Sequence, residues 1–312
     1  MRAGWGDPEL RSTEAGRRDQ VFEEIRQRGQ QAIDAGRLEE AVEILQTAVD
    51  LAVEQGDARL IDLTRCNRAA AQVELGRGDS EIPPLREILV RNGDPVSCRI
   101  AAYTIARHYE ITKNYKKALF YARLALDRSR LLARPDWLAS SHNLIGNNLL
   151  AESYVAEAAA AYEQALELMP DEPGPARGQV LDNLGYCRVL QRRHGEAYHL
   201  LYRSLKLLRR FAARRHEISA RLDLCFAHLE TGRVRLARRQ GSTALALAES
   251  LGDQAAIKNA LYLLGEVAQQ SGEPEAASGY FRRLHREFFP EAGYLPEILL
   301  AVDIRKLVNL HA

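Results

Sequence analysis

The 312 residues carry 43 Lys and Arg against 42 Asp and Glu, and the resulting charge of +1 points to no class of partner. Hydrophobic residues make up 46%, largely Ala and Leu, which is an ordered helical composition and excludes a disordered or β-rich chain. No run reaches the roughly 18 apolar residues of a membrane span, and MRAGWGDPELRSTEAGRRDQ lacks the apolar core of a signal peptide, so a cytoplasmic protein without membrane contact is expected.

Residues 1–18 are polar and without helical periodicity, and read as a flexible tail. From about Asp19 the chain repeats itself through residue 288. The first unit has Ile25 and Gly29, a turn at Gly36, then Ala41, Leu45 and Ala48 on a second helix. The second has Ala69 and a turn at Gly76, but Glu81 stands where the other units place a small residue. Pro83 and Pro84 predict a late start for its second helix, because proline is tolerated only in a first turn. The third runs through Ile105, Ala106, a turn at Lys113, and Ala118, Ala122 and Ala125.

The fourth unit is the clearest: HNLIGNNLLAESYVAEAAAAYEQALELMP, residues 142–170. Gly146 and Ala158 are small where two helices must approach, Tyr162 is large where a gap must be filled, and Pro170 ends the second helix. Units five to seven restate it around Gly185, Cys225 and Gly265, with turns at Arg192, Gly232 and Gly272. The seven turn positions, counting Ser153, are 40, 37, 40, 39, 40 and 40 residues apart. Beyond them, residues 289–312 hold a helix opened by Pro296, with Ile298, Leu299, Val302, Ile304 and Leu307 in it, expected to cap the last apolar face.

The order of small, bulky and breaker residues in 142–170 resembles a tetratricopeptide repeat (TPR). The period exceeds the roughly 34 residues of the commonest unit. It is similar to the long-unit arrays of kinesin light chain, the Pins/LGN scaffolds and the bacterial peptide sensors of the Rap and PlcR type. The resemblance implies an all-α, right-handed superhelical solenoid of about seven helix pairs, with the first helix of each pair lining a concave groove.

Counted back from each turn, the pairs facing that groove include Tyr103 and Arg107, Asn143 and Asn147, Asp182 and Tyr186, Leu222 and Phe226, and Tyr262 and Glu266. Aromatic rings supply contact area at little entropy cost. Asparagines offer a donor and an acceptor to a peptide backbone, and in the long-unit relatives groove asparagines hold it. Asn143 and Asn147 occupy equivalent places, with Asn183 and Asn259 as further candidates; the alternative is that they bond within the helix stack.

Between residues 188 and 239 there are fourteen Lys and Arg against four Asp and Glu. Arg203, Lys206, Arg210, Arg214, Arg235 and Arg239 belong to this segment, which fits an acidic protein, nucleic acid, or a solvated face.

Catalytic signals are weak. His194 and His199 are five residues apart, which turns a helix by about 500° and separates the rings. Cys66, Cys98, Cys187 and Cys225 show no C-x-x-C spacing and read as packed thiols. No metal, cofactor or catalytic group is expected. The expected function is a non-catalytic scaffold for a peptide or protein segment. The alternatives are a peptide-gated regulator acting on a separate effector, and nucleic-acid binding through the basic face.

Overall fold

The computed structural model describes residues 21–33, 36–170, 174–305 and 308–311. The expected tail at 1–18, Asp19 and Leu307 lie outside them. The described residues form helices and no strand, as an all-α repeat array requires.

The chain divides into two compact units, one ending at Arg134 and one beginning at Pro135. The first holds α1 (21–33), α2 (Leu38–Gln55), α3 (Ala58–Glu74), α4 (Ile82–Arg91), α5 (Pro95–Ile111) and α6 (Tyr115–Leu131). The second holds α7 (Pro135–Ala151), α8 (Val155–Leu168), α9 (Pro175–Leu190), α10 (His194–Arg210), α11 (Arg214–Glu230), α12 (Val234–Leu251), α13 (Gln254–Gln270), α14 (Pro274–Phe288) and α15 (Leu295–Ala301).

Each helix pair is closed by the same device. Gly36, Gly76, Lys113, Ser153, Arg192, Gly232 and Gly272 all have a left-handed backbone, with φ between 58° and 76°. The next residue's N–H reaches back over the turn, as from Asn114 to the Tyr109 carbonyl at 2.7 Å and from Arg193 to the Arg188 carbonyl at 2.8 Å. This closure satisfies carbonyls that a helix end would leave bare. It forces the following helix back along the first, at a cost of about 1 kcal/mol where Lys113, Ser153 or Arg192 replaces glycine.

Close approach follows from the small residues. A Cβ on Gly146 would lie 2.6 Å from Tyr162 Cε1, and one on Gly265 would run into the Phe281 ring. Tyr162 and Phe281 are fully buried in the gaps these glycines leave. Helix α8 stops at Leu168 and Met169 is extended, as a residue preceding proline must be.

The second repeat is irregular where expected. A single 3₁₀ turn, Asp79–Glu81, precedes α4, whose first turn carries the prolines. Glu81 is buried at the small-residue position, and both its oxygens accept from Arg68 Nη2 of α3 at 3.0 Å.

The last helix departs from expectation. It ends at Ala301, so Val302 and Ile304 lie outside it. Val302 is extended, and the Asp303 carboxylate accepts from the Arg305 N–H at 3.0 Å and Nε at 2.9 Å. That local turn offers the backbone an alternative to the helix. Leu299 remains buried in the core of the second unit.

Candidate binding surface

In the second unit the first helices pack on one another in a row, α7 on α9, α9 on α11 and α11 on α13. Their partners α8, α10, α12 and α14 make no comparable row, so within this unit the first-helix face is the inner one. The row brings Asn143, Asn147, Asp182, Tyr186, Leu222, Phe226, Tyr262 and Glu266 onto adjacent helices. Tyr186 and Phe226 are in ring contact, with centroids 5.8 Å apart.

This face is not open. Asp182, Tyr186, Phe226, Tyr262 and Glu266 are all buried. After α15, the described residues 302–305 and 308–311 are irregular, and several of them meet the side chains of this row. Leu310 N–H donates to the Tyr186 hydroxyl at 3.2 Å, and Asn259 Nδ2 donates to the Leu310 carbonyl at 3.1 Å. Asn309 Nδ2 donates to the Leu150 carbonyl at 2.8 Å. His311 stacks on Tyr186 at 4.3 Å, and its Nε2–H donates to Asp223 at 2.9 Å. Ile304, Val308 and Leu310 pack partly buried against the core. At the other end Gln269 holds the Leu300 carbonyl at 2.9 Å, and Arg305 lies 3.5 Å from Glu266 and 3.7 Å from Glu230.

The charges of the face are one-sided. Burial, reinforced by Asp223, pushes the Asp182 carboxyl well above the usual carboxylate range. Burial likewise raises Glu266 to about 7, against the pull of Arg305. Asp182 Oδ1, Glu266 Oε1 and the Tyr262 hydroxyl have no hydrogen-bond partner among the described residues.

The asparagine roles differ from expectation. Asn183 Nδ2 donates to Asn147 Oδ1 at 3.0 Å and to Asn143 Oδ1 at 3.4 Å, and the Tyr162 hydroxyl donates to Asn147 at 3.0 Å. Asn143 and Asn147 are thus used between helices. Asn259 is the asparagine that holds a backbone, because the segment passes over α13 and its side chain meets a free carbonyl there.

In the first unit, Arg107 of α5 is committed to two carboxylates. It donates to both oxygens of Glu74 on α3, at 2.9 and 3.0 Å, and to Glu110. Tyr103 is partly buried under the Arg99 guanidinium, 4.6 Å from its ring centre.

No protein-family model and no curated protein matches the sequence. Solved structures do match. A Rap protein complexed with competence and sporulation factor superposes with a TM-score of 0.69 at 16% identity, over 86% of this chain and 76% of that one. Aspartyl phosphate phosphatase F from Bacillus subtilis gives 0.58 at 17%, over 84% and 75%. PilW, a type IV pilus biogenesis factor, gives 0.58 at 24%, over 77% and 98%. The fold is TPR-like. A likeness of fold at this level of identity does not by itself assign a function.

On the TPR helices of the second unit, Arg203, Lys206 and Arg210 of α10, Arg214 at the start of α11, and Arg235 and Arg239 of α12 are all exposed. Other cations of the segment are paired, as Arg221 with Glu217 at 2.6 Å and Arg238 with Glu273 at 2.8 Å. The four cysteines are buried, and burial pushes every thiol up, Cys187 and Cys225 to about 12. Such thiols are poor nucleophiles. No described helix is long and apolar enough to cross a membrane.

Proposed function

We propose that this protein is a non-catalytic binding module that holds an extended segment of another protein on the inner face of α7, α9, α11 and α13. The observation that carries this reading is where Arg305 and residues 309–311 lie. They meet side chains or backbone of α7, α9, α11 and α13, and the Leu310 backbone is held by the Tyr186 and Asn259 side chains. Side chains that engage a peptide backbone serve any sequence, while aromatic pockets beside them select among sequences. The helix row is preformed, so only the segment after α15 has to move to admit an external one. We read the module as cytoplasmic, with repeats four to seven as its working part.

The test is photocrosslinking in host lysate, with the photoreactive residue at Glu230 on the inner face or at Arg239 on the outer. Capture of a segment from Glu230, lost in Tyr186→Ala/Asn259→Ala, is expected. Capture from Arg239 alone would remove the inner face as the site.

A second reading rests on the six exposed cations of the basic face, which have no carboxylate at ion-pair distance among the described residues. They fit an acidic protein surface or a nucleic-acid backbone. Such binding would weaken steeply with salt, by a slope set by the number of contacts.

A further inference from the structure

The inner face of the second unit carries four carboxylates toward one strip: Asp182 on α9, Asp223 and Glu230 on α11, and Glu266 on α13. What lies on the strip sets a basic side chain at two points, the Arg305 guanidinium near Glu230 and Glu266, and the His311 ring on Asp223. Between and beside these points, Ile304, Val308 and Leu310 meet the apolar core. We propose that this face selects an extended segment of another protein that carries two basic side chains about six residues apart with apolar residues around them, and that it binds by displacing the segment after α15, whose Arg305 and His311 have that spacing.

The proposal rests on the reading of this face as a peptide site and adds what the peptide must look like. Three observations support it. Charge complementarity comes first: a segment without cations would leave Asp223 and Glu266 buried against apolar atoms, which is costly. Second, the buried Asp182 Oδ1, Glu266 Oε1 and Tyr262 hydroxyl have acceptor or donor capacity that no described residue takes up. A segment with more donors than this one gains hydrogen bonds on replacing it. Third, the occupant is built to leave. Among its described residues none is helical beyond Ala301; Ile304, Arg305, Val308, Asn309, Leu310 and His311 are only partly buried, and the extended Val302 separates the segment from α15. Leu299 and the Gln269 bond to Leu300 hold α15 in place, so the segment can detach without unfolding a helix.

The competition is intramolecular. A tethered segment acts at a high effective concentration, so an external one sees only the fraction of molecules in which the face is free, and its apparent affinity falls by that fraction.

The experiment uses the full chain and an end-blocked fluorescent peptide of residues 303–311, read by anisotropy. Wild type is compared with Arg305→Ala/His311→Ala, and the peptide with its Arg305→Glu/His311→Glu form. The double variant is expected to bind the peptide about tenfold or more tightly than wild type, and neither protein is expected to bind the charge-reversed form. If the double variant loses helix content by circular dichroism, Asn309→Ala takes its place with the same direction expected. Equal binding by wild type and variant would show that residues 303–311 do not compete, and equal binding of both peptides would show that the carboxylates do not select cations. A wild-type dimer that the double variant dissolves would make a second copy's segment the occupant. Each of these overturns the proposal. Capture at Glu230 of a segment lacking the cations would also overturn it while leaving the peptide-site reading intact; no capture at Glu230 would end both.

Discussion

Gly265 and Gly279 lie in consecutive helices of one TPR pair, and alanine at each should move stability in opposite directions. At Gly279, on the exposed face of α14, an added Cβ meets nothing within 4 Å. Only helix propensity changes, so Gly279→Ala should stabilise by about 1 kcal/mol. At Gly265, the Cβ runs into Cε1, Cδ1 and Cζ of the fully buried Phe281 ring. A planar ring packed on all sides has no free end to swing away, and overpacking of this kind costs about 1–3 kcal/mol. The same propensity gain offsets part of it, leaving a net loss of about 0–2 kcal/mol and a gap between the two variants of about 1–3 kcal/mol. Urea unfolding followed by far-UV circular dichroism measures both midpoints. Gly265→Ala/Phe281→Leu should recover part of the coupling, since a leucine can rotate where a ring cannot. Gly265→Ala as stable as Gly279→Ala would refute the argument that α13 and α14 are spaced by this contact. It would also loosen the account of how Tyr262 and Glu266 are held on the inner face.

Further outcomes follow from the same geometry. Glu266, at about 7 in the folded chain against an ordinary 4.5, keeps a proton that the unfolded chain releases between those values. Stability from this group is therefore lost as pH rises through the window, by on the order of 3 kcal/mol in all. Glu266→Gln should gain on wild type between about pH 4.5 and 7 and hold a constant difference outside it, as urea midpoints at stepped pH would show. His228 has the opposite sign: burial pushes it down to about 4, so its contribution is lost as pH falls from about 6.5 toward 4. His228→Asn should flatten the acid side of the profile. Arg68→Ala would leave the buried Glu81 without its two bonds and should cost about 3 kcal/mol. Arg235→Ala/Arg239→Ala, which breaks no ion pair among the described residues, should stay within about 0.5 kcal/mol of wild type; thermal melts separate the two cases. Tyr162→Phe removes the hydroxyl bonded to Asn147 and should cost about 1 kcal/mol by urea unfolding.

The repeat phase was legible because it is set locally. A left-handed residue at each turn forces reversal within a few bonds, so Lys113, Ser153 and Arg192 could be aligned with Gly36 and Gly272 from spacing alone. Gly146 with Tyr162 was readable for the same reason, the partners being one helix apart. The face of α7, α9, α11 and α13 was readable from its phase, but not its occupant. Leu310 meets Tyr186 across 124 positions of sequence, and an irregular segment carries no period that would announce its path. The apolar residues at 298–304 read as helix because the pattern continues past Ala301; Asp303 ends it by a local bond that periodicity does not weigh. The spacing sets Asn143 and Asn147 on one helix, α7, but their hydrogen-bond partner Asn183 lies one repeat away. A side chain's phase does not reveal whether a neighbour or a ligand takes its hydrogen bonds.

The acids of the inner face bear on what the protein is for. Asp182, Asp223 and Glu266 are each buried, and stability alone would be better served by apolar residues of similar size there. The fold limits the cost in two ways: Asp182 and Glu266 are pushed toward their neutral forms, and residues 303–311 bring His311 to Asp223 and Arg305 beside Glu266. Neither device improves the packing of α9, α11 and α13 on their partner helices, which rests on residues such as Leu181, Leu224 and Leu264. On the proposed reading these carboxylates would discriminate among segments that could cover the row: an apolar one would leave them unpaired, an acidic one would be repelled, and a cationic one would be held, which is charge contributing specificity at the expense of stability.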